Sequence, residues 1–214
     1  MTPIELTALA ASTSLLAGWR LYLVTLVTGL AMKFGYIALP DHLQSLDFLT
    51  NNWVLGAAAI GTLAEFFADK IAWVDSAWDA VHGFIRPLGG ALLSLAIVDS
   101  GDPAWQVASF LLGGGAAAIA DVGKAGARTL VNASPEPYSN IAVSTMEDVA
   151  TGGLLALAIA NPIAAAIIAG VLVFLSIWLA MKARRAIRRL MEVLNPPPRP
   201  RPMKDVTPPA APPA

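Results

Sequence analysis

Residues 54–99 read VLGAAAIGTLAEFFADKIAWVDSAWDAVHGFIRPLGGALLSLAIVD, and this stretch decides the fold class. Its first part, within 53–69, is an apolar helix crowded with Gly56, Ala57, Ala58, Ala59, Gly61 and Ala64. Lipid gives helices no hydrophobic drive to associate, so small residues that let backbones come close mark a face turned toward protein. The last turn carries Glu65 and Asp69 on one side, with Lys70 adjacent. Residues 71–86 then set Asp75, Asp79, His82 and Arg86 at i, i+4, i+7 and i+11, a polar stripe at helical spacing. Two readings of this amphipathic helix stand. It lies in the interface with Trp73 and Trp78 in the headgroup belt. Or it dips into a bundle, where its polar residues join Glu65 and Asp69 in an acidic cluster able to relay protons or hold a hard cation. No pair has the spacing of a zincin or an EF-hand loop, so no metal is assigned. Pro87 and Gly90 are expected to break the helix, leaving an apolar segment, 88–99, that reaches bilayer length only if the helix starts earlier or the segment is re-entrant.

Composition extends this reading to the whole chain. Hydrophobic residues make up 56% and charged residues 14%, and the mean hydropathy is +0.63. That leaves too little polar surface for a water-soluble particle, and 214 residues suit one bundle of about five crossings at roughly 20 residues each. A net charge of −1 gives no reason to expect nucleic acid as a partner. The absence of cysteine excludes disulfides and thiol chemistry. The start, MTPIELTALAAS, has no basic region before its apolar run and carries Glu5, so it reads as part of the mature chain.

Upstream, residues 4–35 as one helix would reach about 48 Å, beyond a hydrocarbon core of roughly 30 Å. A break is expected around Gly18 and Arg20. Either the broken helix and Arg20 line a polar cavity, or the crossing begins near Leu21 and Arg20 snorkels. Lys33 and Tyr36 suit an interface, and 40–52 is a polar connection. Downstream, 104–124 is a further crossing in which Gly113, Gly114 and Gly115 serve close packing or a flexible break. Asp121, Lys124 and Arg128 close it at spacings that suit pairing along the helix. Segment 129–150, with Pro135 and Pro137, reads as a polar loop with a short helix. The run 151–181 is again too long for one straight crossing, and Asn161-Pro162 is the expected break. After it come Lys182, Arg184, Arg185, Arg188 and Arg189, the mark of a cytoplasmic end beside anionic lipid. Residues 191–214 form a proline-rich tail expected to be disordered.

The chain also carries an internal echo. GALLSLAIVD at 90–99 aligns without a gap on GGLLALAIAN at 152–161, and Glu65 corresponds to Asp121 in similar small-residue helices. Repeat units of about 53–99 and 105–161 are therefore expected within a helical domain spanning 1–190, an arrangement typical of transporter folds.

ADKIAWVDSAWDAVHGFIRPLGGALL at 68–93, together with AGWRLYLVTLVTGLAMKFG at 17–35, resembles the bacterial domain-of-unknown-function family 4126 over about residues 5–185. In that family a small-residue pair is followed by a polar or basic residue and an aromatic, which Gly18, Arg20 and Tyr22 match. The resemblance implies a multi-pass bacterial membrane protein and supplies no activity.

The resulting expectation is an all-α integral membrane protein of about five transmembrane helices, some broken or re-entrant, in a bacterial inner membrane with the C-terminus cytoplasmic. Its function is read as a small transporter or channel-like protein for an ion or small solute, likened to a homo-oligomer through its Gly/Ala faces and without a cofactor. Glu65, Asp69, Lys70, Asp121, Lys124 and Arg20 form the transport cluster, and Asp75, Asp79, His82 and Arg86 a gate or vestibule. The alternatives are a scaffold or assembly factor and an interfacial membrane enzyme. Against an enzyme stand the lack of a nucleophile and base arrangement and the presence of only two histidines, His42 and His82.

Overall fold

The computed structural model describes residues 2–37, 47–98, 101–132 and 137–194. The described residues form six helices: α1 (Pro3–Lys33), α2 (Asn52–Ala68), α3 (Ala72–Ile97), α4 (Pro103–Asn132), α5 (Pro137–Ala160) and α6 (Pro162–Leu194). Four segments are long and apolar enough to cross a membrane, Pro3–Lys33, Trp73–Ile97, Pro103–Arg128 and Ile141–Ala160. Asn52–Ala68 and Pro162–Leu175 are shorter apolar helices. The outer surface exposes large apolar side chains such as Trp53, Ile60, Phe84, Leu112, Ile167 and Phe174, while Arg20, Glu65, Asp69, Asp75, Arg86, Asp121, Lys124 and Arg128 lie inside. This inversion of the soluble pattern is that of an all-helical membrane protein.

Local chemistry explains the helix ends. Thr2 and Glu5 form a reciprocal capping box at the start of α1, with Pro3 in the first turn. Past its end, Gly35 takes a left-handed φ of 78°, and the Tyr36 N–H returns to the Ala31 carbonyl at 2.8 Å. Asn161 is the one residue separating α5 from α6, and its Oδ1 accepts from the Ala164 N–H at 3.1 Å. An asparagine cap followed by proline in the first turn makes the break expected at Asn161-Pro162.

α1 touches all five other helices and forms the axis of the bundle. Its own break falls at Arg20, with φ −141° and ψ 73°, two residues beyond Gly18, which stays helical. Where α1 meets α4, a Cβ on Gly18 would strike the Ala117 carbonyl. Gly90 of α3 and Gly113 of α4 are similarly pressed together, and Ser14 Oγ donates to the Gly90 carbonyl at 2.9 Å. Gly113 thus serves close packing, and α4 runs unbroken through the triple glycine.

Two expectations are corrected. α3 continues through Pro87 and Gly90, so neither residue breaks it, and the crossing gains its length by starting inside the amphipathic stretch. Proline removes one helical hydrogen bond, which membrane helices tolerate when packing holds the flanking turns. Here α4 packs directly against the site: a Cβ on Gly114 would lie 3.2 Å from the Pro87 carbonyl. The described residues of segment 129–150 are helical, since α4 extends to Asn132 and α5 starts at Pro137, while 133–136 with Pro135 lie outside the described residues. Proline lacks the N–H that a first helical turn leaves unbonded, so Pro137 starts a helix rather than interrupting one. Finally, the aligned segments 90–97 and 152–159 both bury one face, through Leu93 and Ala96 and through Leu155 and Ala158. Gly90 is buried, however, whereas Gly152 has open space around it. Asp99, residues 38–46 of the polar connection and the tail beyond 194 lie outside the described residues.

Candidate functional site

The break in α1 and the polar faces of α2 to α5 meet in one ionic network. Arg86 of α3 is its first hub. Its Nη1 donates to Asp79 Oδ1 at 2.7 Å and to Asp121 Oδ1 at 2.6 Å, and its Nη2 to Glu65 Oε1 at 3.1 Å. One guanidinium thereby ties α2, α3 and α4 together, using the fork of donors that lysine lacks. Asp69, at the end of α2, is the second hub. It pairs with Arg20 Nη1, with Lys124 Nζ at 3.4 Å and with Arg128 Nη2 at 3.2 Å, all through Oδ2. Lys124 also lies 3.7 Å from Asp79 Oδ1, which joins the two hubs.

α5 closes the network. Arg128 donates to Glu147 Oε2 at 2.7 Å and lies 3.7 Å from Asp75 Oδ2. Arg20 reaches Asp148 Oδ1 at 2.9 Å and donates to the Ser144 carbonyl at 3.1 Å. Lys70 sits 3.6 Å from Asp148 Oδ2, 3.3 Å from Ser144 Oγ and 3.5 Å from the centre of the Phe66 ring. The break in α1 contributes backbone as well: the Trp19 carbonyl accepts from Lys124 Nζ at 3.2 Å. Arg20 does not snorkel to the rim: it is buried within the bundle, held by ion pairs.

Burial is graded along this chain of pairs. Arg20, Glu65, Asp69, Asp75, Arg86, Lys124 and Arg128 are closed off, while the side chains of Lys70 and Asp148 retain 21% and 22% of their exposure at one edge. Asp79, Asp121 and Glu147 retain 14%, 13% and 17%. Pairs of this kind cost desolvation that good geometry and extra hydrogen bonds must return, and removing one partner leaves a buried charge uncompensated. The chemistry is also unbalanced. Seven carboxylates, Glu65, Asp69, Asp75, Asp79, Asp121, Glu147 and Asp148, face only five cations, Arg20, Lys70, Arg86, Lys124 and Arg128.

Asp69, Asp75 and Asp79 bring one oxygen each within 4.8 Å of one another, the donor set of a hard-cation site. Protein cations already stand there: Lys124 bridges Asp69 and Asp79, and Arg128 bridges Asp69 and Asp75. Beside the network, His82 stacks on Trp78 with ring centres 4.1 Å apart, and its Nδ1 lies 2.8 Å from the Trp78 carbonyl. A carbonyl only accepts, so Nδ1 carries the proton. In the neutral ring Nε2 then accepts from the Tyr22 hydroxyl, 2.9 Å away.

Every residue read from the sequence as transport cluster or vestibule lies in this network or against it, but the division into two groups does not hold. Arg86 is bonded to Glu65 and Asp121, not set apart as an outer gate. Asp121, Lys124 and Arg128 make their ion pairs across helices rather than along α4. Ser144, Glu147 and Asp148 were hidden in the presumed loop, although Ser144, Glu147, Asp148 and Thr151 recur at i, i+3, i+4 and i+7. The basic residues Lys182, Arg184, Arg185, Arg188 and Arg189 stand exposed on the last turns of α6, away from the network.

No curated protein and no solved structure matches the chain. The family described as Domain of unknown function (DUF4126) matches residues 7–182, which hold every residue of the network. The chain belongs to the DUF4126 family.

Proposed function

We propose that this membrane protein is a small transporter or channel-like protein that moves protons, or a small solute coupled to them, through the ionic network. The observation that carries the reading is a network of seven carboxylates and five cations in which four buried carboxylates face four buried cations and the surplus negative charge lies with the half-buried Asp79, Glu147 and Asp148. A half-buried surplus of negative charge is a place that draws protons or a small cation to the network. A buried core of carboxylates continuous with partly exposed ones is the minimum a proton path needs. Glu65 is its central residue: it is buried, pairs with Arg86 through Oε1, and has no hydrogen-bond partner on Oε2 among the described residues.

In this reading Arg20, Arg86, Lys124 and Arg128 hold the carboxylates in place, and the Lys70 and Asp148 edge is one entrance. The setting is a bacterial inner membrane with the basic end of α6 on the cytoplasmic side against anionic lipid. The helix pairs related by the 90–99 and 152–161 echo derive from a duplicated unit, and Gly/Ala faces such as that around Gly56 pair copies into a homo-oligomer. A second reading, a scaffold in which the network only folds the bundle, draws on the pairing of every network cation with carboxylates.

Reconstitution in liposomes loaded with a pH-sensitive dye, under an imposed potential, separates the two. The expected result is proton flux in the unmodified protein that Glu65→Gln abolishes while the variant still folds and inserts. Flux unchanged in Glu65→Gln, or none in the folded unmodified protein, overturns the transport reading.

A further inference from the structure

On the side of the bundle away from α5, an apolar groove of about 270 Å³ opens between α1, α2 and α3. Its floor is Leu21, Tyr22 and Leu93, its walls are Val54 and Ala57 of α2 and Leu88 of α3, and its upper end is closed by Phe48 and Leu49. No charged side chain lines it. α1 and α3 are both long and apolar enough to cross a membrane, so the open side of this groove lies at the depth of hydrocarbon.

The groove has a polar head. Two residues before Val54, Asn52 Oδ1 holds the ammonium of the exposed Lys33. Around them Phe34, Tyr36 and Trp53 are exposed aromatics, the composition of a headgroup belt. From Lys33 down to Tyr22, α1 descends about 16 Å at 1.5 Å per residue. That is the depth of one leaflet, half of a hydrocarbon core of roughly 30 Å.

From this match of cation, aromatic belt and leaflet-deep apolar channel we infer that the groove holds one acyl chain of an anionic phospholipid whose phosphate is bound by Lys33. The small side chains of Ala57 and Ala58 keep the channel open, Gly89 lets Leu21 pack close at its floor, and Tyr22 ends it where its hydroxyl turns away to His82. The lipid therefore rests against the aromatic residue that contacts the edge of the ionic network, though its binding does not depend on transport.

Native mass spectrometry of the full chain, purified in mild detergent and incubated with phosphatidylglycerol or phosphatidylcholine, tests this. One phosphatidylglycerol is expected to stay bound preferentially. Ala57→Trp and, from the opposite wall, Leu88→Trp fill the channel and are each expected to weaken retention about tenfold. Lys33→Ala is expected to erase the preference for phosphatidylglycerol while phosphatidylcholine retention is unchanged. Undiminished retention in both tryptophan variants, a preference that survives Lys33→Ala, or a tryptophan variant that splits a dimer without losing lipid each overturns the assignment. Because the readout is lipid mass, failure of the flux experiment leaves this result standing, and the reverse also holds.

Discussion

The same three helices, α1, α3 and α4, are joined in two ways along their lengths. Around Gly18, Ser14, Gly90, Gly113 and Ala117 they touch backbone to backbone, with hardly a side chain between them. Further along, Arg86 and Asp121 join α3 to α4 as an ion pair, and α1 is tied in through Arg20 and Asp69, which also pairs with Lys124 and Arg128 of α4. The first region draws on van der Waals contact and fails by steric intrusion; the second draws on charge compensation and fails when a partner is removed. Stability alone could be met by extending the small-residue seam along the whole interface, since well-packed apolar replacements for buried ion pairs are often neutral or stabilising.

Substitutions that treat the two regions alike should have unlike results. The largest effect is expected from Arg86→Met, which strands Glu65, Asp79 and Asp121 at once; loss of about 3–5 kcal/mol is expected in denaturant titrations of the detergent-solubilised protein. Next comes the seam: Gly113→Val drives a side chain into Ser94, Gly90 and Ser14, and overpacking of about 1–3 kcal/mol should appear in the same titration. Should Gly113→Val be harmless, the contrast drawn between the regions fails. The smallest effect belongs to the open edge of the network, where Lys70→Ala should cost less than about 1 kcal/mol because the pair with Asp148 is partly solvated. A double-mutant cycle between Lys70 and Asp148 measures that pair directly, and a large coupling would move this edge into the closed part of the network.

How much of this was legible from the chain differs by helix for physical reasons. The stripe Asp75, Asp79, His82 and Arg86 announced itself because its spacing matches one helix face, and the burial of Arg86 and Asp75 bears out the dipped reading over the interfacial one. Glu65 and Asp69 stood out as carboxylates ending an apolar helix. Which partners they would find did not, because ion pairs between helices leave no trace in the spacing of either one. Pro87 and Pro137 misled in opposite ways. Proline was weighed by its cost in an isolated helix, whereas packing on α4 supports Pro87 and the first turn of α5 absorbs Pro137. Asn161-Pro162 was readable since cap and proline act locally.

The break at Arg20 also sets an order of events during synthesis. α1 emerges first, and it carries a cation that insertion scales penalise by about 2.5–3.5 kcal/mol at a helix centre. The Asp69 partner of Arg20 lies 49 residues later and the Ser144 partner 124 residues later. Until the end of α2 emerges, therefore, the axial helix must wait at the insertion machinery or beside water with Arg20 unpaired, and only the arrival of α5 completes its shell. The bundle is thus assembled around its least membrane-compatible residue, and its first helix is the last to be fully satisfied.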